Sequence, residues 1–419
     1  MGRIAIHSAF SLTIIGLLCS TAWGQEWTRF RGPNGTGLAQ SQGLPVAWNE
    51  SDFAWRVRLP GQGHSSPVLW GDRIFLMSAD PDRATRYLLC YSATDGTELW
   101  RREYPSTPHH LHLRNTFASG TAAVDRDRVY WAWSTPERVT FLALDHHGND
   151  VWTLDLGPWT SQHGFGMSPM LFEDLVILSN NQQAEELEPG QIAGESYLLA
   201  VERSTGIERW RTPRTSIRVC YSTPAILQLP GQPPQLICTS TAEGVYSVDP
   251  RTGRENWRVP DCLPQRVVSS PLVTDRMIFG STGSGGGGNR LVAVRVSNSP
   301  EVAYEIRSNA PYVPCALAKD DLLFLFNDRG MVSCADVRTG AIHWRERLSG
   351  GFSGSPVYGD GKVYVIADDG TVLVIAAERQ FRLLGRNPLG EPTRSTPAIA
   401  GNRLYFRTLS HLMAVGESR

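Results

Sequence analysis

The sequence has little net charge, no internal stretch apolar enough to cross a bilayer, and almost no helical periodicity. Its 40 lysines and arginines nearly cancel 41 aspartates and glutamates, leaving a formal charge of −1. Nothing in that total favours nucleic acid or an anionic lipid surface. There is no Cys-x-x-Cys, no haem-attachment Cys-x-x-Cys-His and no adjacent cysteine pair. No Gly-x-Ser-x-Gly elbow is present, so a hydrolase of that kind has no support. The glycine-rich run Ser281–Gly288 precedes no helical pattern and reads as a hairpin tip rather than a phosphate loop. What remains is a composition of 41% hydrophobic and 19% charged residues, the balance of a folded globular chain.

The first 24 residues read as an export signal. Arg3 gives the positive start, Ile4 to Cys19 the apolar run, and Ala22-Trp23-Gly24 the small-x-small cleavage pattern. The expected division is a signal at 1–24, an N-terminal cap at 25–52 and one repeat domain at 53–419. Removing the signal leaves six cysteines, an even number that permits disulfides in an oxidising compartment. A periplasmic or secreted protein follows, with no transmembrane segment in the mature chain.

An internal repeat organises the rest. Five times a glycine stands four residues before a tryptophan: Gly96 and Trp100, Gly148 and Trp152, Gly206 and Trp210, Gly253 and Trp257, Gly340 and Trp344. An Asp or Glu precedes each glycine, and β-rich runs flank the unit, which therefore reads as a hairpin closed by a tight turn. Upstream of the hairpins stand Ser66-Pro67, Ser168-Pro169, Thr223-Pro224, Ser270-Pro271, Ser355-Pro356 and Thr396-Pro397, where proline opens a strand at little cost. Thr121-Ala122 and Cys315-Ala316 fill the gaps in that series. Each period thus holds four strands. Seven units are complete, and an eighth, starting at Ser395, lacks its last strand. Phe53 to Leu59, with Trp55, resembles the missing strand. The expected fold is all-β: an eight-bladed propeller of four-stranded antiparallel blades, the last blade closed by the N-terminal strand.

The pattern from Val248 to Trp257, and again from Ala335 to Trp344, resembles the tryptophan-docking repeat of the pyrroloquinoline-quinone-repeat, or quinoprotein alcohol dehydrogenase-like, propellers. The resemblance covers essentially all of the chain beyond the signal. It implies either a calcium- and quinone-dependent dehydrogenase or a non-catalytic scaffold like the outer-membrane protein assembly factor BamB. The enzymes often carry a vicinal disulfide against the quinone, which this chain lacks. Their calcium-binding Glu, Asn and Asp match no motif here. The resemblance therefore favours a non-catalytic scaffold binding protein or peptide partners in the cell envelope. A pyrroloquinoline-quinone-dependent dehydrogenase and a carbohydrate-binding module are the alternatives.

Candidate residues follow from the architecture. Loops that lead into the innermost strands gather at the channel mouth. They carry His64, Asn115, His163, Arg218, Tyr221, Gln265, Arg266, Tyr312, Phe352 and Arg394. That mixture suits an anionic or peptide-like ligand. Trp55, Trp100, Trp152, Trp210, Trp257 and Trp344 read as structural, packing blade on blade. His109, His110 and His112 lack a carboxylate or cysteine at ligand spacing and read as a solvated loop, so no metal is expected. The polar, acidic segment Gln182–Gly194 reads as an insertion in the third unit, and Trp27 to Gly37 as an irregular cap.

Overall fold

A computed structural model describes residue 2 and residues 26–417. The expected export signal lies outside the described residues. Thirty-two strands form eight four-stranded antiparallel sheets, with short 3-10 turns at Pro33–Gly35 and Glu50–Asp52 the only helical elements among the described residues. Blade 1 runs Val68–Trp70, Arg73–Ala79, Arg86–Ser92 and Glu98–Tyr104. The innermost strands of blades 2 to 7 begin at Ala123, Met170, Ala225, Leu272, Leu317 and Val357. Blade 8 takes Ala398–Ala400, Arg403–Arg407 and His411–Val415 from the C-terminal end and Phe53–Arg58 from the N-terminal end. The last two pair antiparallel, Phe53 opposite Val415 and Arg58 opposite His411. The ring therefore closes by hydrogen bonds, and blade 8 gains the fourth strand its own repeat lacks.

Two buried arginines reinforce that closure. Arg407 in blade 8 donates to the carbonyls of Ser65 (3.0 Å) and Met77 (2.9 Å) in blade 1. Arg403 donates to the carbonyls of Ala93 (2.8 Å) and Thr94 (3.1 Å). Burial holds the Arg407 guanidinium down to about 9.

The Gly-to-Trp spacing has a direct cause. The tryptophan of one blade lies on the glycine of the next, so the two halves of each motif face opposite neighbours. The Trp210 ring sits 2.5 Å from where a Cβ on Gly253 would be, and Trp100 and Trp152 cover Gly148 and Gly206 in the same way. Trp55 of the closing strand covers Gly96, so the series includes the ring junction. Each indole N–H then reaches a carbonyl beside that glycine: Trp55 to Ala93 (3.1 Å), Trp100 to His146 (2.9 Å), Trp152 to Arg203 (3.0 Å), Trp210 to Pro250 (3.1 Å). Gly253 has φ +70°, so the turn and the docking both demand glycine.

Trp257 departs from the scheme. Blade 5 has no glycine at the docking turn, and Trp257 turns back to Gln235 of its own blade, Nε1 to Oε1 2.7 Å. Tyr304 replaces tryptophan in blade 5, covering Gly340 and donating to the Val337 carbonyl at 2.7 Å. Trp344 reaches the Glu378 carbonyl at 3.2 Å and packs on Phe381.

All six cysteines among the described residues are buried and free, so the disulfides their even number allows do not form. Cys90, Cys238 and Cys334 occupy separate blades as small core residues, and burial pushes their thiols up to about 12.

Candidate functional site

The residues preceding the innermost strands form a ring of their own. The backbone N–H of Ser66 donates to Thr121 Oγ1 (3.0 Å), and that of Thr121 to Ser168 Oγ (3.0 Å). Thr223 donates to Ser270 (3.0 Å), Ser270 to Cys315 Sγ (3.2 Å) and Cys315 to Ser355 (3.0 Å). Ser355 donates to Thr396 (2.9 Å) and Thr396 to Ser66 (3.0 Å), so seven of the eight junctions carry this bond, all but the one from Ser168 to Thr223. This is why a hydroxyl precedes each proline. The proline starts the strand, and the residue before it links one blade to the next through a hydrogen-bonding side chain.

One end of the channel is closed by the chain itself. Trp27 exchanges two backbone hydrogen bonds of 3.0 Å with Leu69 of blade 1, and the Thr28 carbonyl accepts from Val124 of blade 2 at 2.8 Å. Asn34 pairs by both amide atoms with the backbone of Ile226 in blade 4, each at 2.7 Å. Arg29 donates to the Pro224 carbonyl (2.7 Å) and Arg31 to that of Ala316 in blade 6 (2.6 Å). The segment then pairs with Tyr358 of blade 7 through Gly37 and Ala39. Trp27, Arg29 and Arg31 are buried. Gly32, φ +66°, lies under the Trp27 ring, 2.5 Å from its Cβ position to Cε3. The segment read as a cap is thus a plug inside the ring, lying along the innermost strands.

Above the plug lies a well of about 500 Å³, with Phe30 among its lining residues and Ser66, Thr121, Ser168, Thr223 and their counterparts in its wall. Eight of the ten expected mouth residues line it: His64, Asn115, His163, Arg218, Tyr221, Arg266, Tyr312 and Arg394. Phe352 does not, being fully buried with its ring edge-on to Phe326 at 5.3 Å. Its apolar ring serves the core between blades instead. Gln265 is also outside the lining. Its side chain packs against Gly288 and its backbone pairs with Thr282.

The structure adds residues that sequence reasoning missed. Arg114, Asp328 and Arg329 line the well, as do His112 and the Gly283–Gly285 tip. His112 stacks on His163 with centroids 4.6 Å apart, and His109 packs on Phe117. The histidine loop is therefore partly built into the mouth, and only His110 stands exposed. Among the described residues no group of three His, Cys, Asp or Glu is placed to hold a metal. The insertion after Asn180 leans over the same rim. Asn181 and Gln183 accept the backbone N–H groups of Cys220 (2.6 Å) and Val219 (3.0 Å), and Glu186 pairs with Arg218.

The well is cationic. Five arginines line it, Arg114, Arg218, Arg266, Arg329 and Arg394, against the single carboxylate of Asp328. Asp328 spends its oxygens on the backbone N–H groups of Tyr312 (2.9 Å) and Val313 (3.2 Å), and burial raises its pKa. Arg266 Nη1 lies 2.7 Å from His163 Nε2, and Arg394 Nη1 lies 3.5 Å from His64 Nε2. A guanidinium only donates, so each imidazole accepts at Nε2 and is neutral, with its proton on Nδ1. Burial, then Arg407 and Arg394, lower His64 to about 3; burial and Arg266 lower His163. The arrangement presents fixed positive charge to whatever enters, and the one carboxylate in its lining is already committed to backbone N–H groups.

Fold and repeat define a pyrroloquinoline-quinone-repeat β-propeller. The chain matches the family described as "Outer membrane protein assembly factor BamB" over residues 23–153, 86–258 and 305–416, and it belongs to that family. Among curated proteins no sequence matches it significantly. Similar solved structures include BamB from Moraxella catarrhalis, at 16% identity and TM-score 0.62, covering 86% of this chain and 95% of that one. Quinohemoprotein alcohol dehydrogenase from Comamonas testosteroni aligns at 12% identity and TM-score 0.66, covering 94% and 81%. The computationally designed Ika8 protein aligns at 11% identity and TM-score 0.60, covering 87% and 99%. At these identities the likeness is one of fold.

Proposed function

We propose that this protein is an exported, non-catalytic propeller that binds protein or peptide partners of the cell envelope at its channel mouth. The observation that carries this reading is the blind, cationic well: a plug closes the ring below, and five arginines face one already-committed carboxylate above. Such a site binds and orients an anionic group, but offers no free carboxylate to take a proton. Membership of the BamB family supports a scaffold role. No helix among the described residues is long and apolar enough to cross a membrane.

The dehydrogenase alternative asks for calcium beside the quinone. Calcium takes six to eight oxygen ligands, usually including carboxylates. The well supplies one carboxylate, turned toward backbone N–H groups and surrounded by guanidinium charge, so the residues present do not fit the ion.

Site-specific photocrosslinking in envelope fractions tests the proposal. Leu113, 85% exposed beside the mouth, is one position for the crosslinker. The control is Ile207, 60% exposed in the hairpin turn of blade 3 at the opposite end. A discrete protein adduct from Leu113 and none from Ile207 supports the reading. Stoichiometric retention of pyrroloquinoline quinone with calcium through gel filtration overturns it.

A further inference from the structure

The charge and shape of the well say more about its occupant than the presence of a mouth does. A channel open at both ends accepts a threaded polymer. This one is plugged by residues 27–38, with Phe30 facing the well, so only a chain end or a short protrusion fits. The rim arginines stand around a ring rather than along a track, which suits several negative charges within one compact segment.

Arg266 is the most demanding of them. It is 8% exposed and makes no ion pair among the described residues; its side-chain partners are His163 and Gln162, and its Nε is buried without a hydrogen bond. A desolvated cation without a counter-charge is costly unless a ligand supplies one. The chain also shows which anion the rim accepts: Arg218 takes the Glu186 carboxylate from the acidic insertion. Planar guanidinium groups match carboxylates by paired hydrogen bonds.

We infer that the well receives the acidic C-terminal end of a peptide chain, its terminal carboxylate seated by Arg266 and Arg394 and its acidic side chains met by Arg114 and Arg329. This rests on the partner-binding reading above and names the part of the partner that enters.

The test is fluorescence anisotropy of the whole mature chain with a labelled hexapeptide ending in Asp-Glu-Glu. A free-acid form is compared with its C-terminal amide and with an Asn-Gln-Gln form. The free acid is expected to bind at least tenfold more tightly than either, with affinity falling steeply as salt rises. Arg266→Gln is expected to weaken it by a further factor of ten or more. Arg114 and Arg329 are exposed, so Arg114→Gln and Arg329→Gln leave the fold intact, and each is expected to weaken binding several-fold. Equal affinity for acid and amide, no binding, or no effect of all three substitutions overturns the inference. So does binding of a sulfated oligosaccharide where the peptide fails. A crosslinked partner at Leu113 with no peptide binding sinks this inference alone, whereas loss of both sinks the reading beneath it.

Discussion

The plug and the mouth of this channel use the same side chain in opposite ways. Arg29 and Arg31 are buried in the plug and donate to the carbonyls of Pro224 and Ala316. No carboxylate pairs with them among the described residues, and burial lowers both, Arg29 to about 10. The mouth arginines face the well, and Arg114 and Arg329 are exposed. Each plug guanidinium fixes the fold through a short charge-assisted bond to the carbonyl of another blade, although Nε and Nη1 of both stay buried without a partner. A guanidinium left facing a cavity with only neutral neighbours is available to a ligand.

The sharpest way to break that comparison is to remove both plug arginines. Arg29→Ala with Arg31→Ala leaves two buried carbonyls without donors and opens space across the ring. It is expected to cost roughly 4–6 kcal/mol in urea unfolding. Arg394→Gln at the mouth is expected to cost less than about 1 kcal/mol. Equal losses at the two sites erase the distinction between a structural and a ligand-facing arginine.

Acid titration separates the same regions by pH. His64 is neutral in the fold, lowered to about 3 from an ordinary 6.5. Between those values the unfolded chain binds a proton that the folded chain refuses, so stability falls as pH drops below about 6.5. The loss from His64 is expected to approach about 3 kcal/mol near pH 4, and His64→Gln should remove that share, leaving the contributions of His109, His112, His146 and His163, which burial also lowers. Glu391 provides an internal contrast. Burial alone would raise it, but hydrogen bonds from Thr408 and Ser410 prevail and hold it at about 2. Its contribution is present above about 4.5 and is lost only as pH falls from there toward 2. A His64→Gln variant that keeps the full loss between pH 6.5 and 4.5 contradicts the assignment.

The regular and degenerate blade junctions offer a second comparison. Gly253→Ala places a methyl group against Trp210 and forces a side chain to φ +70°. A loss of about 2–3 kcal/mol in chemical denaturation is expected. Trp257→Phe, where no glycine receives the ring, forfeits mainly the bond to Gln235 and should cost about 1 kcal/mol or less. A Trp257→Phe variant as damaged as Gly253→Ala means that docking on glycine is not what binds the blades.

Much of this was legible because propeller geometry is written locally. Gly253 and Trp257 sit four residues apart in one hairpin, yet each faces a different neighbour, so the spacing repeats wherever a blade does. The missing fourth strand after Val415 and the spare one at Phe53 identified the closure. The mouth was legible only in part, because loops follow no period. Phe352 stood at the right place in its unit, but its apolar ring belonged to the core. Asp328 and Arg329 were missed because they come from a hairpin tip, outside the strand-leading loops, whereas Arg114 lies beside Asn115 in the loop leading into blade 2 and no period singles it out. The plug had one visible sign: Arg31, Gly32, Pro33 and Asn34 combine a buried charge, a positive φ and a backbone-pairing amide, which a solvated cap does not need.

The hydroxyl ring gives the finest comparison, between one kind of link and its sulfur variant. Ser355 Oγ accepts the Cys315 N–H at 3.0 Å, and Cys315 Sγ accepts the Ser270 N–H at 3.2 Å. Ser355→Ala leaves a buried N–H without an acceptor and is expected to cost about 1–2 kcal/mol, read from the urea midpoint at constant m-value. Cys315→Ser exchanges a weak acceptor for a stronger one of smaller size. It is expected to be neutral or to stabilise by a few tenths of a kcal/mol, the smallest effect of the series. Should Ser355→Ala prove silent, the residues before the prolines are spacers, and the blades are held at the channel by strand packing alone. Should it cost as expected while Cys315→Ser does not destabilise, the requirement at that position is an acceptor, which is why serine, threonine and cysteine share it and alanine does not appear.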